Sequence, residues 1–462
     1  MSSRTLHVEV SGLLGHFNHQ FSLRADQPFM ILHGPNGVGK THTLQILERV
    51  AQKNIAGLML SPFAEFNLRV EDVGHLAIRR IESPQNNDET SQSTKLILLL
   101  KRPGHQQANH SISNPVGDLA REIVMRHPAL RSVEPGGLVL DRRTGEYLDR
   151  EDLIRKYGPG TSRNATMSAN AVRSSTRRFT DWTLPQEFDD FLAEISIHLI
   201  ETQRLLFQRG QSDDDLGYEP SKVGSRRTID IFAMQLAEKI SQALAENSRI
   251  SQKLDRSFPA RLLRISDRRA GLATGDLEVR TEFANQAELR KRLTAVSVGD
   301  SIDDVPLPDR ELKDWERSVM ALYLQDSREK LASFTSLLNK LELLKNIIDS
   351  KFLFKELCFD ASKGFFFIAR AGGELAPAAL SSGEQHELVL TYDLIFNVKS
   401  GDVVLIDEPE ISLHVNWQKQ FMDDLKRIAE LVGVRFVIAT HSPQIVGKYR
   451  DLMVALGPEV DS

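Results

Sequence analysis

One cysteine, Cys358, occurs in 462 residues, which excludes an intrachain disulfide and any cysteine-rich metal site. It lies in the strand-like run 354–359, where a small core side chain is expected. Long apolar runs are missing as well. Residues 96–100 and 403–406 have the length of interior strands, far below what a bilayer span needs. Met1-Ser2-Ser3-Arg4 runs straight into the alternating Leu6-His7-Val8-Glu9-Val10 without an apolar signal region. The expectation is a cytoplasmic protein with no membrane partner. A strong charge of one sign is also absent: a net −5 does not fit a chain that coats DNA over its whole surface. The local exception is 249–292, with eleven Lys/Arg (Arg249, Lys253, Arg256, Arg261, Arg264, Arg268, Arg269, Arg280, Arg290, Lys291, Arg292) against six acids. It reads either as a solvated helical face or as a contact for phosphate or an acidic protein, so DNA stays open as a partner.

What is present is more specific. Residues 34–41 spell Gly34-Pro35-Asn36-Gly37-Val38-Gly39-Lys40-Thr41, between the apolar run Phe29-Met30-Ile31-Leu32 and a helical pattern over 41–50. Strand, glycine-rich loop and helix in that order form a phosphate-binding loop. The glycines let the backbone fold around phosphates, and its N–H groups point inward at a helix N-terminus. Lys40 adds a point charge to the β- and γ-phosphates, and the Thr41 hydroxyl is placed to ligate Mg²⁺. The expected ligands are therefore ATP and Mg²⁺.

The pattern predicts strands at 6–10, 19–23, 29–33, 63–70, 76–81 and 95–100, the last two joined across the polar run 83–93. A short hairpin is expected at 138–140 and 147–148, and a surface loop over 159–180. A helical region follows. Ile229, Phe232, Leu236, Ile240 and Leu244 form one stripe, and Leu324, Leu331, Phe334, Leu338, Leu341 and Ile348 form another. They suit an antiparallel helical hairpin, a short coiled coil, or amphipathic helices of a helical subdomain. Strands return at 354–359 and 365–369, with a turn at Ser362-Lys363-Gly364. The expected fold is α/β, a nucleotide domain in two halves, 1–150 and 351–462, separated by a helical insertion at 151–350.

The second half carries three further motifs. Val403-Val404-Leu405-Ile406 ends in Asp407-Glu408, carboxylates at the ligand-binding end of a parallel strand. Asp407 suits the Mg²⁺ shell and Glu408 suits polarising the attacking water. Leu380-Ser381-Ser382-Gly383-Glu384-Gln385 precedes a helical pattern over 384–396, an anion-binding helix start or a plain N-cap. Phe436-Val437-Ile438-Ala439-Thr440-His441-Ser442-Pro443 is a strand ending in a histidine. In this order the motifs resemble those of ATP-binding-cassette ATPases. The signature consensus Leu-Ser-Gly-Gly-Gln appears with Ser382 for its first glycine and Glu384 for its glutamine, which resembles the SMC and OLD-like branch more than transporters.

That resemblance implies that His441 is the switch histidine contacting the γ-phosphate. It also implies that Ser381, Ser382 and Gly383 complete the ATP site of a second copy, in a head-to-tail dimer or higher oligomer. Gln203, after the apolar run 195–200, is the candidate Mg²⁺-sensing glutamine, although a helix over 187–207 competes with a strand there. His414 stands where the family's D-loop has aspartate, or is simply a helix N-terminal residue. Leu380 lies 340 positions after Lys40, too far for a transporter cassette, while the insertion is too short for the arms of chromosome-condensing or break-repair ATPases. OLD-type nucleases carry a Toprim domain after the histidine motif, whereas 21 residues follow His441 here. The combination resembles stand-alone ATPases of bacterial phage-defence operons, the ATPase subunits of PARIS systems most of all. It implies a Toprim-type nuclease acting in trans and an acidic phage trigger protein. A DNA-binding recombination or repair ATPase of the RecF or SMC type is the alternative.

Overall fold

The computed structural model describes residues 4–83, 93–115, 123–125, 127, 129–133, 138–142, 146–148, 153, 184–201, 228–267, 275–296 and 306–457. The chain forms two compact units, Met1–Thr202 with Val398–Ile411 and Gln418–Ser462, and Gln203–Asn397 with Ser412–Trp417. The α/β class is the one expected.

The first unit holds two larger sheets. One is antiparallel, ordered β2-β1-β4-β5-β6-β7, from β1 (Leu6–Leu13), β2 (Phe17–Leu23), β4 (Glu65–Val70), β5 (Gly74–Ser83), β6 (Ser93–Lys101) and β7 (Ala108–Pro115). The other is parallel, ordered β11-β15-β16-β3-β17, from β3 (Phe29–His33), β11 (Ile197–Glu201), β15 (Val403–Asp407), β16 (Arg435–Ala439) and β17 (Met453–Ala455). Burial follows from the type of pairing. In β1, Leu6, Val8 and Val10 point inward and alternate with exposed residues, whereas Phe29 to Leu32 are all buried, as in a parallel strand covered on both faces. Between the sheets lies α1 (Lys40–Ala51), whose Leu44, Ile46, Leu47 and Val50 share one core with Val10, Phe66 and Leu98 of one sheet and Leu405 and Val437 of the other.

Shorter elements complete this unit: α2 (Ile55–Leu60), α3 (Gln186–Ala193), α9 (Pro443–Val446), most of α8 (Val415–Val432), and the small sheet β8 (Leu130–Val133), β9 (Leu138–Asp141), β10 (Glu146–Leu148). The hairpin expected at 138–148 is present, with Tyr147 opposite Leu140. The helix that competed for 187–207 stops at Ala193, and 197–201 is a strand with Glu201 in register with Asp407. The expected loop at 159–180 lies outside the described residues.

In the second unit, α4 (Thr228–Asp267), α5 (Asp276–Ala295) and α6 (Asp314–Lys351) precede β12 (Lys355–Asp360), β13 (Gly364–Ala369), β14 (Glu374–Leu375) and α7 (Ser382–Phe396). The two predicted stripes lie on α4 and α6, which run antiparallel. Asn247 donates to the Lys330 carbonyl at 2.8 Å, and Arg261 grips Asp326 with both guanidinium nitrogens at 2.5 and 2.6 Å. Leu244, expected on the stripe, is exposed, because burial on α4 lapses after Ile240. Cys358 also departs from its expected core position: Leu357 and Phe359 take the inward face of β12, leaving Cys358 half-buried on the other.

Part of the basic stretch proves to be structural. Besides Arg261, Arg280 bonds Asp276 and the carbonyls of Pro308 and Arg310, Arg292 pairs with Glu342 at 2.6 Å, and Arg249 pairs with Glu246. Lys253, Arg256, Arg264 and Lys291 are exposed, while Arg268 and Arg269 lie outside the described residues. Deeper in this unit, the Lys351 ammonium and Glu387 carboxylate meet at 2.5 Å with side-chain exposures of 1% and 3%. Among the described residues no helix is long and apolar enough to cross a membrane.

Candidate functional site

Because the five-stranded sheet is parallel, the C-terminal ends of β3, β15 and β16 share one edge. β3 delivers the loop Gly34 to Gly39. Gly37 and Gly39 adopt φ of 82° and 90°, the left-handed region that strains any residue with a Cβ. A Cβ on Gly34 would sit 2.0 Å from the Leu456 carbonyl, and one on Gly39 would sit 2.4 Å from Leu13, whereas nothing lies within 4 Å of the Gly37 position. The loop is thus pressed against the fold on one side and open on the other, where Pro35, Asn36 and Gly37 are exposed. Buried His19 on β2 supports it from behind, with Nε2 at 2.6 Å from the Val38 carbonyl. Sequence reasoning missed His19. Its signal was a histidine on the inward face of the alternating run His19-Gln20-Phe21.

No side chain caps the start of α1 and no acid occupies its first turn, so its leading N–H groups and positive dipole end stay available to an anion. Lys40, 5% exposed, donates to the carbonyls of Gly34 and Pro35 at 3.0 Å each and touches Nε2 of His441. Burial lowers the Lys40 pKa against the opposing pull of Glu408, Asp407 and Glu410. Thr41 follows, half-buried in the same first turn.

At the end of β15, Asp407 closes the strand and Glu408 turns into φ of 45°, an uncommon conformation for a non-glycine residue and one associated with functional sites. The turn is held by the Glu408 N–H donating to Ala439 of β16 at 2.9 Å. His441 Nε2 lies 3.8 Å from Glu408 Oε1. Burial, then the Lys40 charge, depresses the imidazole pKa despite Glu408 and Glu410, so His441 is neutral at pH 7. Glu410, also missed by sequence reasoning, accepts hydrogen bonds from the His441 N–H at 2.7 Å and the Thr440 hydroxyl at 2.8 Å. Gln418 accepts from the Ser442 hydroxyl at 2.8 Å. The Thr41 hydroxyl and Asp407 carboxylate are hard oxygen donors beside a phosphate cradle, the donor type Mg²⁺ takes.

Gly34 to Thr41, Asp407, Glu408 and His441 therefore come from the same edge of one unit. Ser381, Ser382 and Gly383 belong to the other. There Ser381 caps α7, donating its N–H and hydroxyl to Glu384 at 2.9 and 2.8 Å, and Lys355 grips both Glu384 oxygens at 2.6 and 2.7 Å. Burial works to raise the Glu384 carboxyl, but Lys355 and the Ser381 donors outweigh it and hold the pKa low. Gly383 faces open space. His414 precedes α8 and accepts from the Trp417 N–H with its carbonyl, the position of a helix cap. Gln203 lies outside the described residues.

A family described as "AAA domain, putative AbiEii toxin, Type IV TA system" matches residues 177–447, more than half of the chain, a span that includes β15, α7 and His441 but not the phosphate-binding loop. The spermidine/putrescine import ATP-binding protein PotA of Ureaplasma parvum is 29% identical over 80 residues, 17% of this chain and 15% of that protein. The phosphonates import ATP-binding protein PhnC 2 of Oceanobacillus iheyensis is 34% identical over 77 residues, 17% of this chain and 29% of that protein. The chain thus spans less than a third of either relative. Among solved structures, the SMC head domain from Thermotoga maritima aligns at 9% identity and a TM-score of 0.31, covering 98% of this chain and 94% of that one. The Smc head domain with an extended coiled coil from Pyrococcus furiosus, bound to the C-terminal domain of ScpA, aligns at 11% identity and 0.31, covering 98% and 93%.

Proposed function

The chain belongs to the AAA-domain family that matches it, and from that membership we propose that it is an ATP-binding and ATP-hydrolysing switch of a bacterial anti-phage defence system. The observation that carries the ATPase reading is the shared sheet edge, where an uncapped helix start, buried Lys40, the left-handed Glu408 and neutral His441 converge. In this reading the N–H groups of 36–41 and the Lys40 ammonium hold the phosphates. Glu408 orients and polarises the attacking water, and His441 meets the γ-phosphate without adding a second cation beside Lys40. Mg²⁺, held by Thr41 and Asp407, would neutralise phosphate charge.

Ser381, Ser382 and Gly383 close on the nucleotide of a second copy, so ATP joins two protomers and hydrolysis by Glu408 loosens them. The finer reading is likeness to AriA, the ATPase subunit of PARIS systems. It adds a Toprim-type nuclease held in trans and an acidic phage protein as trigger. The alternative, a RecF- or SMC-like DNA-binding ATPase, would use the exposed Lys253, Arg256, Arg264 and Lys291 of the basic stretch, since Arg261, Arg280 and Arg292 are tied to acids of their own unit.

Phosphate release by the wild type and Glu408→Gln tests the catalytic reading, with a loss of about 10²- to 10³-fold expected in the variant; equal rates would reject Glu408 as the catalyst. Filter binding of duplex DNA tests the alternative, which predicts ATP-dependent, salt-sensitive affinity.

A further inference from the structure

We propose that Glu410 is a positioning residue that fixes His441 against Glu408, an inference that rests on the ATPase reading of those two residues. Glu410 sits in the single 3₁₀ turn Pro409–Ile411 directly after Glu408. Its two carboxylate oxygens take two different donors of the histidine turn: Oε1 the His441 N–H at 2.7 Å, Oε2 the Thr440 hydroxyl at 2.8 Å. The proton arrangement is determined. Thr440 Oγ1, fully buried, already accepts the Ser442 N–H at 2.9 Å, so its own proton goes to Glu410.

Gln418 of α8 closes the network from the other side. Its amide nitrogen donates to the Glu410 carbonyl at 3.3 Å, and its amide oxygen takes the Ser442 hydroxyl. Residues 440, 441 and 442 are thus each tied, directly or through Gln418, to the turn that carries Glu408. β15 and β16 are parallel neighbours whose register ends at Asp407 and Ala439. Glu410 joins the two loops beyond that point, which keeps the imidazole 3.8 Å from Glu408 and against Lys40. A carboxylate suits the position because both oxygens accept and neither competes with the donors it faces.

The test compares Glu410→Ala, Glu410→Gln and Glu408→Gln in the full chain, by phosphate release against ATP concentration and by amide hydrogen exchange over 438–444. Glu410→Ala is expected to lower kcat about 10²-fold with KM within about twofold, and to speed exchange at the His441 amide. Glu410→Gln keeps an acceptor for that amide while losing the charge, and is expected to recover kcat at least about tenfold over Glu410→Ala. If Glu410→Ala does not fold, Thr440→Val replaces it, with kcat expected to fall about tenfold. Turnover within about twofold of wild type in Glu410→Ala, or in Thr440→Val standing in for it, overturns the proposal, as does Glu410→Gln as impaired as Glu410→Ala. Equal turnover in wild type and Glu408→Gln would instead reject Glu408 as the catalyst; hydrogen exchange would still judge the latch, and unchanged exchange in Glu410→Ala would overturn it.

Discussion

Lys40 at the nucleotide edge and Lys351 at the end of α6 are equally withdrawn from water, each 5% exposed, yet they are compensated in opposite ways. Lys351 meets the Glu387 carboxylate at 2.5 Å, and the Thr391 hydroxyl bonds the same oxygen at 3.2 Å. Lys40 donates to two carbonyls and touches the His441 imidazole, and burial prevails over the pull of Glu408, Asp407 and Glu410 in its lowered pKa. A buried charge with a full counter-ion is costly to unpair, whereas one whose charge is only partly offset is poised for an anion that arrives later. The helical unit also pairs Arg261 and Arg292 with carboxylates, nearer the surface, and the parallel sheet edge repeats the second pattern at the uncapped start of α1.

The largest effect separating the two is expected at Lys351. Lys351→Met leaves Glu387 buried without its partner and is expected to cost roughly 3–5 kcal/mol in a denaturant titration. Adding Glu387→Leu should restore much of that loss; a double variant as unstable as the single one would break the contrast. Next comes a pH effect at His386, 4% exposed in the helical unit, whose imidazole burial pushes down to about 4. Above about pH 6.5 the imidazole is neutral folded or unfolded, so no linkage arises. Between about 6.5 and 4 the unfolded chain takes up a proton the folded chain refuses, so stability falls with pH by up to about 3 kcal/mol. His386→Phe is expected to flatten that slope, and stability curves of equal steepness would count against it.

Lys40→Met is expected to weaken ATP binding about 10²-fold by calorimetry while leaving stability within about 1 kcal/mol, the inverse of Lys351→Met. The smallest effect is at Ser381. Ser381→Ala removes the α7 cap and is expected to cost about 1 kcal/mol of stability. An accompanying loss of turnover, absent at low protein concentration, would assign Ser381 to a second copy's nucleotide as well.

The nucleotide edge was legible where its chemistry is contiguous. Gly34 to Thr41 and Asp407-Glu408 each bring strand, turn and functional groups in one short stretch, so spacing alone announces a geometry. Glu410 and His19 were not legible, because their partners, Thr440, His441 and the Val38 carbonyl, lie far along the chain and become neighbours only through sheet order. The strand at 197–201 was half legible: apolar content allowed helix or strand, and pairing with β15 decided it. In the helical unit the apolar stripes could be read, but the use of the basic stretch could not. Charge composition counts arginines without showing that Asp326 and Glu342, on a helix much later in the chain, neutralise them.

The place of β3 between β16 and β17 also sets a schedule for biosynthesis. The strand that delivers the phosphate-binding loop leaves the ribosome about four hundred residues ahead of both of its sheet neighbours. Until Arg435–Ala439 and Met453–Ala455 emerge, Phe29 to Leu32 have no sheet to join and are exposed to chaperones or to misassembly. A nascent chain therefore cannot hold nucleotide at this edge in its native geometry until residues 435–455 have been made.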